Sequence, residues 1–377
     1  MNIDTHVILI SAQAVPNITP LLDEQFKPKN VVMLVSPDMN QRADWLEAII
    51  KTKGIKSQRW GISNAWDIEH IRDNVIDLLN QYEGKPMALN ATGGTKPMSI
   101  AAYDVFRAFD LPIFYVHPDH DRVIWMHPPD RPSHDLADRI KLPEFFSAYG
   151  ATLTETGDKL GVPAADRELT QTLISEVHRW AAPLSILNAY AAEAQKNLTA
   201  TLRPKDKGYS ELHHLIALFE RNGLLALKGD TLQFANEDNR FYVNGGWLEQ
   251  HVYGLCLNLE KAHGIQDIDR SLKVARNHRN PPVRNEMDVV FLKDNRLYII
   301  ECKTHSDKKQ VSGKNTDALY KLDSLKDLLG GLQARAMLVS FNRPNQYDLQ
   351  RANDLGIAVC AHQDLVQLPQ KLAQWIV

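Results

Sequence analysis

Cysteine is scarce in this chain: the three scattered cysteines among its 377 residues have no zinc-ligand spacing and form no pattern typical of a disulfide framework. No apolar run approaches the roughly 20 residues of a membrane-spanning helix, and the N-terminus lacks the basic-then-apolar layout of a secretory signal peptide. A net charge of −3 excludes a chain that is strongly basic throughout. We therefore expect a cytoplasmic protein that is not embedded in a membrane.

The domain organisation follows from the length and from changes in the sequence pattern. The apolar and charged fractions, 44% and 24%, are those of globular proteins. A chain of 377 residues is longer than the chains that usually form a single hydrophobic core. We expect an α/β protein in three parts: a Rossmann-like domain over residues 1–145, a helical and winged-helix-like connector over 146–240, and a second α/β domain over 241–377.

Short apolar runs alternate with helical patterns in the N-terminal part, which is typical of a parallel, doubly wound sheet. In such sheets ligands bind beyond the carboxyl ends of the strands. The sequence Thr92-Gly93-Gly94-Thr95-Lys96 follows the fourth predicted strand, where glycines permit close backbone approach and a helix N-terminus attracts anions. It fits neither the dinucleotide motif nor the nucleoside-triphosphate motif. An ordinary glycine-rich turn is the alternative.

The predicted connector begins with a long helical segment over residues 166–198, which we expect to break or kink at Pro183. A helix from Ser210 to Arg221 and a hairpin around Gly229 follow, an order typical of a winged helix. DNA binding is one interpretation of this module. A connector or a support for a dimer is the interpretation that we prefer.

Two apolar runs, residues 289–292 and 297–300, flank a four-residue polar link with the composition of a hairpin turn. Asp288 begins the first run, and Glu301 and Lys303 end the second. Because strand side chains alternate, Glu301 and Lys303 share a face with apolar neighbours, where a charge is costly unless it is paired or binds a metal. Two carboxylates suit Mg²⁺ or Mn²⁺, and an ammonium can hold an attacking water or a phosphate oxygen. A salt-bridged strand end is the alternative.

This order of an Asp, an apolar hairpin and Glu-x-Lys resembles the core of the PD-(D/E)xK nuclease superfamily, although Met287 stands where the motif usually has proline. The resemblance implies a restriction-endonuclease-like domain in which Asp288 and Glu301 bind a divalent ion and Lys303 assists hydrolysis of a phosphodiester. In that superfamily a helix before the hairpin often contributes another acid, which makes Glu249 the expected third metal ligand. A carboxylate that only stabilises its helix dipole is the alternative for this residue.

Paired with such a nuclease core, the glycine-rich turn resembles the ligand-binding loop of CARF domains, the CRISPR-associated Rossmann folds. The resemblance implies binding of a cyclic oligoadenylate, with cyclic tetra-adenylate as the expected activator, on the two-fold axis of a homodimer. Ser11 and Asn17 are expected in the first loop and Ser36 in the second. The matching positions are Ser11, Asn17, Ser36, Thr92, Gly93, Gly94, Thr95 and Lys96.

Charge is distributed unevenly around the predicted metal site. Between Arg270 and Lys314 eleven Lys and Arg residues stand against five Asp and Glu residues. The proline-containing loop before the hairpin carries Arg276, Arg279 and Arg284, and such side chains supply much of non-specific nucleic-acid affinity through phosphate contacts. We expect these arginines to bind the substrate backbone; a solvated surface is the alternative.

The whole layout resembles the CARF-plus-nuclease effectors of type III CRISPR defence. It implies a homodimeric, metal-dependent endonuclease that cleaves DNA, RNA or both after a cyclic oligoadenylate binds. Two other classes stay open: a ligand-sensing transcriptional regulator with an inactive nuclease core, and a scaffold protein whose charges are only salt-bridged.

Overall fold

The N-terminal part of the computed structural model is the parallel α/β sheet that the sequence predicts. Its strands are β1 (Thr5–Leu9), β2 (Asn30–Val35), β3 (Lys56–Gly61), β4 (Met87–Asn90), β5 (Ile113–His117), β6 (Arg122–His127) and β7 (His134–Asp135). Its helices are α1 (Val15–Leu22), α2 (Asn40–Thr52), α3 (Ile68–Gln81) and α4 (Lys96–Ala108). The strand order is β3-β2-β1-β4-β5-β6-β7, with the first five strands in the chain parallel and the last two antiparallel.

Helices dominate the middle of the chain. Its elements are α5 (Leu142–Ala148), β8 (Thr152–Glu155), α6 (Ala164–Ser175), α7 (Val177–Glu193), β9 (Thr199–Thr201), α8 (Ser210–Arg221), β10 (Leu225–Lys228), β11 (Thr231–Phe234) and α9 (Glu237–Phe241). Strand β9 joins the predicted hairpin β10–β11 in a small sheet beside α8, as in a winged helix. A break at Pro183, one of the two outcomes predicted there, is wrong: the helices separate at Glu176, and α7 continues through the buried Pro183.

The C-terminal part is a mixed sheet flanked by helices. Its elements are α10 (Trp247–His263), β12 (Ile265–Arg276), β13 (Val283–Lys293), β14 (Arg296–Lys303), α11 (Lys314–Leu325), β15 (Arg335–Ser340), α12 (Gln346–Asp354), β16 (Ile357–Ala361) and α13 (Leu368–Trp375). The strand order is β16-β15-β14-β13-β12-β8. Strand β8 lies within the segment predicted as connector, yet it pairs with β12 and so extends this sheet.

One apolar cluster runs from the N-terminal sheet to the C-terminal sheet. Ile8 and Met33 of β1 and β2 belong to it, as do Phe145 of α5 and Leu292 and Leu297 of β13 and β14. A second cluster joins the connector helices to the other face of the C-terminal sheet. The chain is therefore packed around cores that cross the predicted domain boundaries.

The structure describes residues 3–117, 120–157, 161–276, 282–304 and 314–376. Within these ranges no helix is both long enough and apolar enough to cross a membrane.

Candidate active site and ligand-binding turn

The predicted hairpin is confirmed. Strands β13 and β14 pair in register from Val289 opposite Ile300 to Lys293 opposite Arg296. The two residues between them have left-handed backbone angles, with φ of 48° at Asp294 and 54° at Asn295. Turns of this kind match the natural twist of two paired strands. The β13–β14 hairpin therefore places the far ends of its strands, which carry the charged residues, side by side.

Asp288, Glu301 and Lys303 meet at those strand ends. Asp288 is 7% exposed, and its Oδ2 accepts a hydrogen bond of 2.7 Å from the backbone N–H of Cys302. Glu301 is 1% exposed, and the Lys303 ammonium lies 2.5 Å from its Oε1. Both carboxylates are thus withdrawn from water but held by specific donors, as buried charges require.

Lys321 of α11 is a member of this site that the sequence did not identify. Its ammonium lies 2.6 Å from Oε2 of Glu301, so both oxygens of that carboxylate accept from lysine. Lys321 is separated from Glu301 by 20 positions and belongs to another element. No local sequence motif indicates that a lysine on one helix will pair with a buried glutamate on a distant strand.

The electrostatics of the site suit a divalent cation. Burial raises the pKa of the Asp288 carboxyl to about 7, and repulsion from Glu301 adds to the rise. Burial alone would lower the pKa of Lys303, but attraction to Glu301 and Asp288 outweighs it, so this pKa is raised. Carboxylates that repel one another at close range gain from a cation that lies between them.

Glu249 lies in the first turn of α10, beside this cluster. Its pKa is raised well above the usual range by burial, and then by repulsion from Asp288, Glu286 and Glu301. Its Oε2 accepts a 3.3 Å hydrogen bond from Ser271. Among the described His, Cys, Asp and Glu side chains, no three form a group that could hold a metal ion. The assignment of Glu249 as a third ligand therefore stays a prediction.

The three predicted arginines occupy different surroundings. Arg284 is exposed on β13, and strand alternation puts it on the same face as Asp288, roughly 13 Å along the strand. Arg276, the last residue of β12, is 7% exposed. Arg279 lies outside the described residues. Of the described members of the predicted set, Arg284 is the exposed one on the strand that carries Asp288, and its binding of the substrate stays a prediction.

The glycine turn, residues 92–96, lies at the carboxyl edge of the N-terminal sheet. A side chain on Gly93 would come within 2.1 Å of the Leu9 carbonyl oxygen at the end of β1, so only glycine fits there. Gly94 has a left-handed φ of 74°, which also favours glycine. The turn therefore exposes backbone directly beside the neighbouring strand.

The polar side chains of the glycine turn hold its shape. Thr92 donates to Asn90 and accepts from the backbone N–H of Val116. Thr95 caps α4 by accepting from the N–H of Met98, and it donates to the Ala65 carbonyl. Lys96 follows as an exposed residue of the first helical turn. It forms no hydrogen bond or ion pair with the part of the chain that the structure describes.

Strand order brings the other predicted positions to the same edge, because β1 lies between β2 and β4. Ser11 follows β1 and is partly exposed, whereas Ser36 follows β2, is buried and donates to Asp38. Asn17 does not lie in the first loop: it is buried in α1 and donates to the Leu9 carbonyl.

Asn90, which the sequence did not single out, organises this edge. Its amide donates to Pro16 and Asn17 of α1 and accepts from Thr92, so it joins the first helix to the glycine turn. The signal for its role is a polar residue that ends the otherwise apolar strand β4.

Family comparison divides the chain into two matched regions. Residues 5–145 match the Card1 CARF domain, and residues 235–377 match the Card1-like endonuclease domain. No curated protein gave a match to the chain.

Solved structures resemble the chain over nearly its whole length. Protein VC1899 from Vibrio cholerae is 31% identical, with a TM-score of 0.88 over 99% of this chain and 97% of that one. Can2 from Sulfobacillus thermosulfidooxidans, solved in complex with cyclic tetra-adenylate, is 27% identical, with a TM-score of 0.84 over 99% of both chains. A type III CRISPR defence DNA nuclease activated by cyclic oligoadenylate is 18% identical, with a TM-score of 0.53 over 90% of this chain and 45% of that one, which shows likeness of fold alone.

Proposed function

Because this chain belongs to the Card1-like family, with a CARF domain and an endonuclease domain in one polypeptide, we propose that it is an endonuclease of type III CRISPR defence that a cyclic oligoadenylate activates. The observation that carries the proposal is the buried cluster of Asp288, Glu301 and Lys303 at the open end of the β13–β14 hairpin. A scaffold would gain no stability from burying carboxylates that repel each other.

The chemistry assigned to this cluster is metal-assisted hydrolysis of a phosphodiester. Asp288 and Glu301 would hold Mg²⁺ or Mn²⁺, since hard oxygen donors suit these ions. A bound ion of this kind polarises the phosphate and lowers the pKa of an attacking water. Lys303 keeps its proton near Glu301, so its part is to orient water and to stabilise negative charge on the phosphate. Arg284 would hold the backbone of the DNA or RNA substrate.

For the CARF domain we propose cyclic tetra-adenylate as the ligand, because the related Can2 was solved with that molecule. Its phosphates would approach the backbone of Gly93 and Gly94, the N-terminus of α4 and the free Lys96 ammonium. A ring-shaped ligand with repeated units suits the two-fold axis of a homodimer.

Cleavage assays on the full chain test the proposal. We expect a plasmid, a single-stranded oligodeoxynucleotide or an RNA to be cut when Mn²⁺ or Mg²⁺ and cyclic tetra-adenylate are both present, and not after EDTA is added. A dimer is expected in light scattering. Sequence-specific binding of duplex DNA without cleavage under any of these conditions would contradict the proposal and support a regulator.

Replacing Lys96 with Ala should weaken the binding of cyclic tetra-adenylate by about 10- to 100-fold, because one charge-assisted phosphate contact is lost. Cleavage at saturating ligand should recover, since the catalytic residues lie in the other domain. Calorimetry and ligand titrations of cleavage measure both effects. Lys56→Ala is the matched control, because Lys56 is exposed at the opposite edge of the same sheet. Equal ligand affinity of the two variants would refute the assignment of Lys96.

Replacing Arg284 with Ala should weaken substrate binding about equally for all sequences and should reduce the salt slope of binding by about 1. The reason is that a phosphate contact contributes affinity without base readout. Arg221→Ala is the control, since Arg221 is exposed on α8 of the winged-helix-like module. If only the Arg221 variant changes the salt slope, the module binds the nucleic acid and Arg284 does not.

A further inference from the structure

The turn of the β13–β14 hairpin is buried against the N-terminal domain. Asn295 at this turn is 1% exposed. Its Nδ2 donates to Oδ2 of Asp121 at 2.5 Å and to Oδ1 of Asp138 at 3.2 Å. Its Oδ1 accepts from the side chain of Gln266 at 2.8 Å and from the N–H of Ile140 at 3.3 Å. Every hydrogen-bonding group of this side chain is therefore engaged, which is unusual for a residue of a hairpin turn.

Asp121 continues the contact into the ligand-binding domain. It lies between β5 and β6, is 6% exposed, and its Oδ1 accepts a 3.0 Å hydrogen bond from Thr19. Thr19 is fully buried in α1, the helix that also contains Asn17 and follows the first loop. One carboxyl group thus joins a helix at the ligand edge of the CARF domain to the hairpin of the nuclease domain.

The hairpin is built to transmit a displacement of its turn. Its strands are paired along five consecutive residue pairs, and the apolar residues of those pairs are fully buried. Asp288 and Glu301 lie at the opposite end of the same two strands. Because a close-packed interior does not absorb movement locally, a shift at Asn295 moves these strands as a unit.

Room for such a shift exists beside the junction. A cavity of about 160 Å³ is lined by Pro16 of α1, Asp121, Tyr149, Asn295 and Gly330, among others. It lies between the first turn of α1 and the hairpin turn, beside the Thr19–Asp121–Asn295 contacts. Val15 and Pro16 in the first turn of α1 line this cavity, so that turn has fewer packed neighbours on this side than the buried rest of the helix.

We propose that Asn295 and Asp121 are positioning residues that couple occupancy of the CARF site to the placement of Asp288 and Glu301. This inference rests on the proposed function. When a ligand shifts α1, the Thr19–Asp121–Asn295 contacts carry the shift to the hairpin. A ligand can change the nuclease only through contacts that differ between two arrangements, and these contacts lie on the direct route between the sites.

Asn295→Gly is the decisive variant, because glycine keeps the left-handed backbone and removes the amide. Asp294→Gly is the matched control: Asp294 has the same left-handed backbone in the same turn, but its carboxylate bonds only to the adjacent Lys293 among the described residues. We expect Asn295→Gly to bind cyclic tetra-adenylate within about twofold of the parent affinity. Its ratio of cleavage rates with and without ligand should fall at least fivefold, while Asp294→Gly keeps the ratio of the parent.

Exchange of the amide of Asn295 and the carboxyl group of Asp121 distinguishes coupling from simple stabilisation. Asn295→Asp brings a third carboxyl group against those of Asp121 and Asp138 and should lose the ligand-dependent ratio as well. Adding Asp121→Asn restores a donor and an acceptor between positions 121 and 295 and should recover part of the ratio, since Asp138 still faces position 295. The inference is overturned if Asn295→Gly and Asn295→Asp both keep the ratio of the parent.

One measurement needs no ligand and therefore tests the link even if the proposed function is wrong. If cyclic tetra-adenylate does not stimulate cleavage by the parent protein, the proposed activation by this ligand is wrong. Hydrogen exchange then tests the link alone: Asn295→Gly, but not Asp294→Gly, should raise the exchange of amides in α1. Unchanged exchange in α1 would overturn the link independently of any activity.

Discussion

Replacing Glu301 with Gln should lower the rate of nucleic-acid cleavage on the order of 10³-fold or more. The substitution preserves the size of a side chain that is 1% exposed, but it removes the charge that two ammonium groups and a divalent ion would share. Folding should survive, because Lys303 and Lys321 both keep contact with solvent. Cleavage rates, thermal unfolding and binding of cyclic tetra-adenylate measure the three expectations.

Glu286→Gln is the matched control for that variant. Glu286 lies on β13 two positions before Asp288, on the same face, but is exposed. Loss of the Glu286 charge should change the cleavage rate by only a few-fold. If Glu301→Gln cleaves at the parent rate, the buried cluster is not the catalytic centre and the nuclease assignment fails.

Replacing Lys303 with Ala should reduce turnover about 10²- to 10³-fold while leaving Mn²⁺ binding within a few-fold of the parent. Its raised pKa means that the side chain acts as a cation and not as a base near neutral pH. Loss of a cation near the scissile phosphate destabilises the transition state more than it disturbs metal binding by the carboxylates. Calorimetry with Mn²⁺ and single-turnover cleavage distinguish the two effects.

Lys321→Ala is the comparison for Lys303→Ala, since both lysines bind Glu301. We expect a smaller loss of turnover for Lys321, which lies on a helix and is more exposed. Turnover losses in the reverse order would assign the charge-stabilising role to Lys321. A Lys303→Ala protein that cannot bind Mn²⁺ would contradict the division of roles proposed here.

The features that could be predicted from the sequence have local causes. The β13–β14 hairpin follows from two apolar runs around a polar link, and the glycine turn follows from the spacing of a strand and a helix. Lys321 and the contacts of Asn295 could not be predicted in this way, because their partners are 20 and 174 positions away. A polar turn residue is ordinarily exposed, and only the neighbouring domain buries this one.

Local preference alone does not describe the surroundings of two other residues. Arg276 belongs to a basic stretch that predicts an exposed track, yet it is only 7% exposed at the end of β12. Pro183 ordinarily ends a helix, but it lies inside α7 with its ring in the core.

The apolar cluster that joins the two sheets limits how such proteins can exchange parts during evolution. A crossover at residue 145 would separate Phe145 from Phe146, which are both buried in that cluster. A nuclease acquired alone would lose the N-terminal members of that cluster, such as Ile8 and Met33, and would expose part of an apolar face. New combinations of sensor and effector are therefore expected to arise by inheriting α5 and the surfaces on both sides of it together, and hybrids that divide this set should aggregate.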